Sequence, residues 1–151
     1  MRINHIIFAI SVLTALAAPA AANAASTFRN PIIDRSAPDP TVFRDDDGIY
    51  YLYGTEDTRN VPIFSSKNLV DWEFRGTAFT DATRPQMVPD GGIWAPDIQH
   101  FDGKYVLYYS KSRWGGEWDC GIGVATADSP LGPFTDHGKL FISSEIGVQN
   151  S

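Results

Sequence analysis

The sequence predicts an all-β protein built from repeated four-stranded units, and three observations carry that expectation. Ala37-Pro38-Asp39-Pro40, ahead of the aromatic run Tyr50-Tyr51-Leu52-Tyr53, returns as Ala95-Pro96-Asp97-Ile98 ahead of Tyr105-Val106-Leu107-Tyr108. The turns introducing those runs, Asp47-Gly48 and Asp102-Gly103, lie 55 residues apart, a period that signals blades, solenoids or arrays. Short apolar or alternating stretches recur between clusters of Gly, Pro, Asn and Asp, and no amphipathic helix of useful length interrupts them. About four strands per repeat is the content of one propeller blade.

Taken in order, residues 1–24 read as an export signal. Arg2 supplies the positive end, 6–18 form an apolar stretch too short to span a bilayer comfortably, and Ala22-Asn23-Ala24 is a small-x-small cleavage site. The mature chain, 25–151, is therefore expected to be secreted or periplasmic, without a membrane span. Loss of Arg2 leaves 11 basic against 18 acidic residues, a formal charge of −7. Lys and Arg are scattered singly among acidic neighbours, a pattern that disfavours nucleic acid as a partner and suits a neutral substrate. Aromatics make up 13% of the chain, so Trp and Tyr are numerous enough both to fill a core and to stack on sugars.

Strands are expected at 41–43, 49–55, 61–65 and 72–74 in the first repeat, and at 98–101, 104–110 and 121–126 in the second. Both Asp-Gly pairs read as two-residue hairpin turns, because Asp and Gly tolerate positive φ at the two central positions. The segment 112–118, with Trp114-Gly115 inside it, reads as a flexible aromatic loop. Cys120 is the single cysteine, which excludes an internal disulfide; in its strand-like surroundings it is expected to be a buried, inert thiol. His100 and His137 are isolated in sequence and read as surface or turn residues rather than metal ligands. Asp45-Asp46-Asp47-Gly48 imitates part of a calcium loop, but Phe43 stands where the first carboxylate belongs and no Glu closes the loop, so it reads as a hairpin turn. Nucleophile-elbow, phosphate-loop and dinucleotide motifs are absent.

Beyond the repeat itself, Asp39-Pro40, Ser66-Lys67-Asn68-Leu69-Val70-Asp71-Trp72, Trp94-Ala95-Pro96-Asp97, Gly103-Lys104-Tyr105 and Gly132-Pro133-Phe134 follow one another in an order that resembles glycoside hydrolase family 43, a family of five-bladed β-propellers. The resemblance implies that the chain covers about the first two blades: blade 1 at about 37–92, blade 2 at about 93–146 and the start of a third at 147–151. It further implies hydrolysis of arabinofuranosyl or xylosyl linkages in plant cell-wall polysaccharide. Arabinan is the favoured substrate, and the arabinan endo-1,5-α-L-arabinosidase, α-L-arabinofuranosidase and β-xylosidase types all stay open. Pro38 stands where endo-acting arabinanases commonly carry His, which leaves exo action open.

Inverting hydrolysis needs a carboxylate that activates water and a protonated carboxyl at the leaving oxygen, about 6.5–9.5 Å apart. Read alone, an Asp-Pro pair is a common turn initiator; the resemblance assigns the general base to Asp39. It also makes Trp94, Trp114, Gly115 and Asn150 substrate contacts, whereas Glu117 and Trp118 have no assigned role. The general acid and a carboxyl tuning it belong to later blades, so the 151-residue chain is expected to be catalytically incomplete. Asp97, aligned with Asp39 by the repeat, is expected to be a structural hydrogen-bond acceptor. No cofactor or metal is required, although the complete propeller could hold a structural calcium. A non-catalytic sugar-binding propeller is the alternative.

Overall fold

A computed structural model describes residues 28–147. The expected export signal and Asn150 lie outside the described residues. Eight strands follow one another: β1 (Thr41–Arg44), β2 (Tyr50–Tyr53), β3 (Pro62–Ser66), β4 (Trp72–Thr77), β5 (Gly92–Phe101), β6 (Lys104–Arg113), β7 (Gly116–Ala127) and β8 (Thr135–Ile142). They form two antiparallel four-stranded sheets, each in simple sequence order. Four strands per repeat agree with the expectation, but β8 was not anticipated. Its sequence, Thr-Asp-His-Gly-Lys-Leu-Phe-Ile, lacks apolar alternation, Gly138 adopts a left-handed φ of 83°, and its register on β7 slips twice.

The turns depart from expectation in an instructive way. Between β5 and β6, Asp102 and Gly103 have φ of 51° and 71°, the two-residue type I′ geometry that matches strand twist. Between β1 and β2 the connection is longer. Asp45 N–H donates to Ile49 O and Gly48 N–H to Asp45 O, each at 2.9 Å, and Asp47 Oδ1 accepts the Ile49 N–H at 2.8 Å. Only Gly48 is left-handed there. The expected loop at 112–118 instead contracts to the two residues Trp114-Gly115, because β6 and β7 stay paired up to Arg113 opposite Gly116.

The core lies between the sheets. Alternation along β2 sends Tyr51 and Tyr53 toward the second sheet, while β6 sends Tyr105, Leu107 and Tyr109 back to meet them, with Phe79, Ile93 and Phe134 completing the layer. Phe79 meets Tyr109 edge to face at 5.7 Å and Tyr53 meets Phe134 likewise at 6.3 Å. Each phenol tip is satisfied: Tyr53 donates to Pro130 O, Tyr105 to Asp45 Oδ2 at 2.7 Å and Tyr109 to Asp136 Oδ1 at 2.5 Å. Burial pushes all three hydroxyls well above the ordinary phenol range. Gly123 faces the Tyr109 ring so closely that any Cβ would collide with it. Burying side chains of this size is worth about 1.5–3 kcal/mol each, so aromatic packing is what joins one sheet to the next. Cys120 lies in β7 but is half-buried, not buried, and its N–H donates to Ser143 Oγ at 3.3 Å.

Candidate active site at the blade starts

Each sheet has a left-handed residue followed by proline at or near the start of its first strand. Asp39 precedes Pro40 with φ of 46°, and Ala95 precedes Pro96 with φ of 42°. The strand registers agree, since Thr41 pairs with Tyr53 and Asp97 pairs with Tyr108, the residue 55 positions further on. The structural counterpart of Asp39 is therefore Ala95, and Asp97 corresponds to Thr41, which corrects the alignment suggested by the repeated Ala-Pro-Asp letters. Thr41 Oγ1 in fact donates to Asp97 Oδ1 at 3.3 Å across the sheets. Asp97 is thus a hydrogen-bond acceptor within β5, and of the two equivalent bends only the first carries a carboxylate.

Asp39 is exposed, yet held. Its Oδ2 accepts the Thr55 hydroxyl at 2.7 Å; Thr55 Oγ1 accepts the Ala95 N–H at 2.7 Å, and Thr55 N–H donates to Pro38 O at 2.8 Å. One side chain two residues past β2 therefore joins both bends. Sequence reasoning missed Thr55, although Ser110, its counterpart 55 residues on, also binds a blade start by donating to Trp94 O at 3.0 Å. A hydroxyl at the same place in both repeats was a usable signal.

Trp94 precedes Ala95 and lies within β5, rather than ahead of a strand as expected. It meets Trp114 edge to face at 6.1 Å. The fold therefore brings together two residues that the sequence separates by a whole hairpin. Trp114 is 92% exposed and Trp94 half-buried. Gly92 has no Cβ where the Trp94 indole passes, and Gly115 takes φ of 78° so that the Trp114 turn can close. A pair of tryptophans of this kind is a surface suited to an uncharged, hydroxyl-rich ring.

Behind this surface lies an ion-pair network that no sequence motif announces. The side chains of Arg84 and Glu56 are each 7% exposed. Arg84 Nη1 donates to Glu56 Oε2 at 2.6 Å and Asn60 Oδ1 at 2.8 Å, while Nη2 donates to Glu56 Oε1 and to Gly91 O, the latter at 2.9 Å. Glu56 also accepts the N–H groups of Asn60 and Ile93, each at 2.7 Å. Lys111, 1% exposed, donates to Gly91 O at 2.6 Å. Burial alone would raise the Glu56 carboxyl, but Arg84 and the two backbone donors together hold it below the ordinary range. Burial, reinforced by the Arg84 charge, lowers Lys111 to about 8. Three side chains thus fix the Gly91–Ile93 segment that delivers Trp94.

At the opposite end of the strands, His100 is not isolated as expected. Its ring stacks on Tyr105 at 4.2 Å and its Nδ1 lies 3.9 Å from Asp45 Oδ1, with Asp46 close enough to complete a possible ligand triad. Asp45 already accepts from Asp46 N–H and Tyr105 OH. An imidazole beside a carboxylate so engaged does not fit calcium, which takes six to eight oxygen ligands. A cavity of about 440 Å³ also lies at that end, lined by Ser65, Lys67, Trp72 and Arg75 and remote from Asp39.

Comparison with known proteins agrees with this architecture. Residues 28–150 match the Glycosyl hydrolases family 43. A non-reducing end α-L-arabinofuranosidase of Bacteroides ovatus is 36% identical over 121 residues, covering 75% of this chain and 22% of that protein. Arabinan endo-1,5-α-L-arabinosidase A of Aspergillus aculeatus is 32% identical over 139 residues, covering 89% of this chain and 43% of the relative. The native arabinanase of Bacillus subtilis superposes with a TM-score of 0.62 at 30% identity, over 73% of this chain and 40% of that structure. The chain thus spans less than half the length of these relatives. Both the match along the sequence and the match of its sheets show that the chain belongs to glycosyl hydrolase family 43, whose five-bladed propeller contributes its blade architecture to the two sheets described here.

Proposed function

We propose that this chain supplies the general base and one wall of the sugar pocket in an exported, inverting glycoside hydrolase that cleaves arabinofuranosyl linkages, with arabinan as the preferred polymer. The observation that carries the reading is the asymmetry of the two blade starts: one bend is repeated, and only Asp39 places a carboxylate on it, tied through Thr55 to the Ala95 that follows Trp94. Asp39 would accept a proton from water as that water attacks the anomeric carbon. The protonated carboxyl at the leaving oxygen would come from another blade. Relatives named for arabinan and arabinofuranoside support arabinose over xylose.

In the full-length protein, Asp39→Asn should lower kcat on linear arabinan by about 10²- to 10⁴-fold, since an amide fills the same volume but cannot take the proton. Its melting temperature should stay that of the parent, and proton NMR of the first product should show the inverted anomer. Undiminished turnover by Asp39→Asn would return Asp39 to turn formation. Arabinan binding without turnover by the parent would favour a sugar-binding propeller instead.

A further inference from the structure

We propose that Thr55 is the positioning residue of the catalytic base, a role that rests on the general-base reading of Asp39. Its hydroxyl is the only side-chain donor recorded to the Asp39 carboxylate among the described residues, at 2.7 Å, and that same oxygen is fixed from behind by the Ala95 N–H at 2.7 Å. A hydroxyl has one proton. Because the Ala95 amide occupies the acceptor side of Oγ1, that proton is directed to Asp39. The Thr55 backbone adds a second restraint through its bond to Pro38 O at 2.8 Å, so the residue before the base and the base's own carboxylate are held by one amino acid. Asp39 itself is exposed and strained, with φ of 46°. Without such a tether its carboxylate would be free to rotate away from the attacking water.

The arrangement also makes the base sensitive to the neighbouring blade. Ala95 follows Trp94 directly, so the amide that orients Thr55 belongs to the segment that presents the sugar-stacking indole. Base and platform are set by one hydrogen-bonded line, Ala95 N–H to Thr55 to Asp39.

The test uses full-length protein, with linear arabinan and 4-nitrophenyl α-L-arabinofuranoside as substrates. Thr55→Val keeps the shape and removes the hydroxyl, and Thr55→Ser restores it. Misplacing a reacting group by about 1 Å costs on the order of 100-fold, so Thr55→Val should lose about 10- to 100-fold in kcat with KM little changed. Thr55→Ser should recover most of the loss. In the parent protein, the Ala95 amide should exchange with deuterium slowly despite its exposed position, and this measurement needs no variant to fold. Thr55→Val with parental kcat, in a protein whose Asp39→Asn variant is inactive, would overturn the role of Thr55 and leave that of Asp39 standing. Fast exchange of Ala95 would overturn the role of Thr55 as well. An active Asp39→Asn would overturn both readings together.

Discussion

Glu56→Gln should be among the most destabilising single-atom changes available in this chain. Each oxygen of the Glu56 carboxylate serves two donors, Oε1 those of Ile93 N–H and Arg84 Nη2, Oε2 those of Asn60 N–H and Arg84 Nη1. Whichever way the glutamine amide turns, its NH2 faces two donors and leaves both unmatched. Each buried group left so costs about 1–3 kcal/mol, and the Arg84 charge also loses its counter-ion. Breaking a buried pair by removing one partner costs about 3–5 kcal/mol, and we expect that loss from urea denaturation followed by tryptophan fluorescence in the full-length protein. The double replacement Glu56→Leu with Arg84→Met should recover only the part due to the unpaired charge, because the Asn60 and Ile93 N–H groups still lose their acceptor. Acidity provides a second handle. The Glu56 carboxyl is held below its ordinary value of 4.5 when folded, so its contribution is complete above that pH and fades as pH falls through the lower folded value. The parent should therefore lose, toward acid, an increment of stability that Glu56→Gln never had. A Glu56→Gln protein within about 0.5 kcal/mol of the parent, the usual range for surface substitutions, would refute the idea that this network is a buried structural element.

Two further outcomes follow from neighbouring groups. Lys111 titrates near 8 when folded against an ordinary 10.5, so the unfolded chain binds the extra proton between those values and the contribution of Lys111 to stability rises with pH from about 8. Lys111→Met should abolish that rise, read as the difference between the two proteins' unfolding free energies at successive pH values. Trp114→Ala should leave stability within about 0.5 kcal/mol, because the side chain is almost wholly exposed. Steady-state kinetics should show KM for arabino-oligosaccharides raised roughly 3- to 10-fold, the equivalent of about 0.5–1.5 kcal/mol for an aromatic contact.

The sequence made some features legible and concealed others for identifiable physical reasons. Aromatic strands flanked by Asp-Gly announced β2 and β6, since packing and turn chemistry both leave residue types behind. β8 left none, because much of it faces outward and tolerates Lys, His and Gly. The repeat was visible, but its register at the blade starts was off by two residues: identical letters aligned Asp39 with Asp97, whereas the shared feature is a positive φ before proline, which the first repeat satisfies with Asp and the second with Ala. Glu56, Arg84 and Lys111 were equally unreadable. Their partnership depends on the path of the chain between blades, and neither their spacing nor their neighbours form a pattern. Trp94 and Trp114 were both expected to contact substrate on separate grounds, and their mutual contact emerges only from the β5–β6 pairing.

The bend at Ala95 has a meaning of its own. A left-handed residue other than glycine costs about 1–2 kcal/mol; Asp is one of the few types that tolerate it, and Ala is not. That Ala95 adopts φ of 42° without any chemical group to present means the bend belongs to the scaffold. The Asp39 carboxylate therefore did not require a special backbone: it occupies a socket that the architecture reproduces from one sheet to the next. Chemistry in such a ring is assigned by which socket is filled, and a reactive group could move around the axis by exchanging side chains while the main chain stayed as it is.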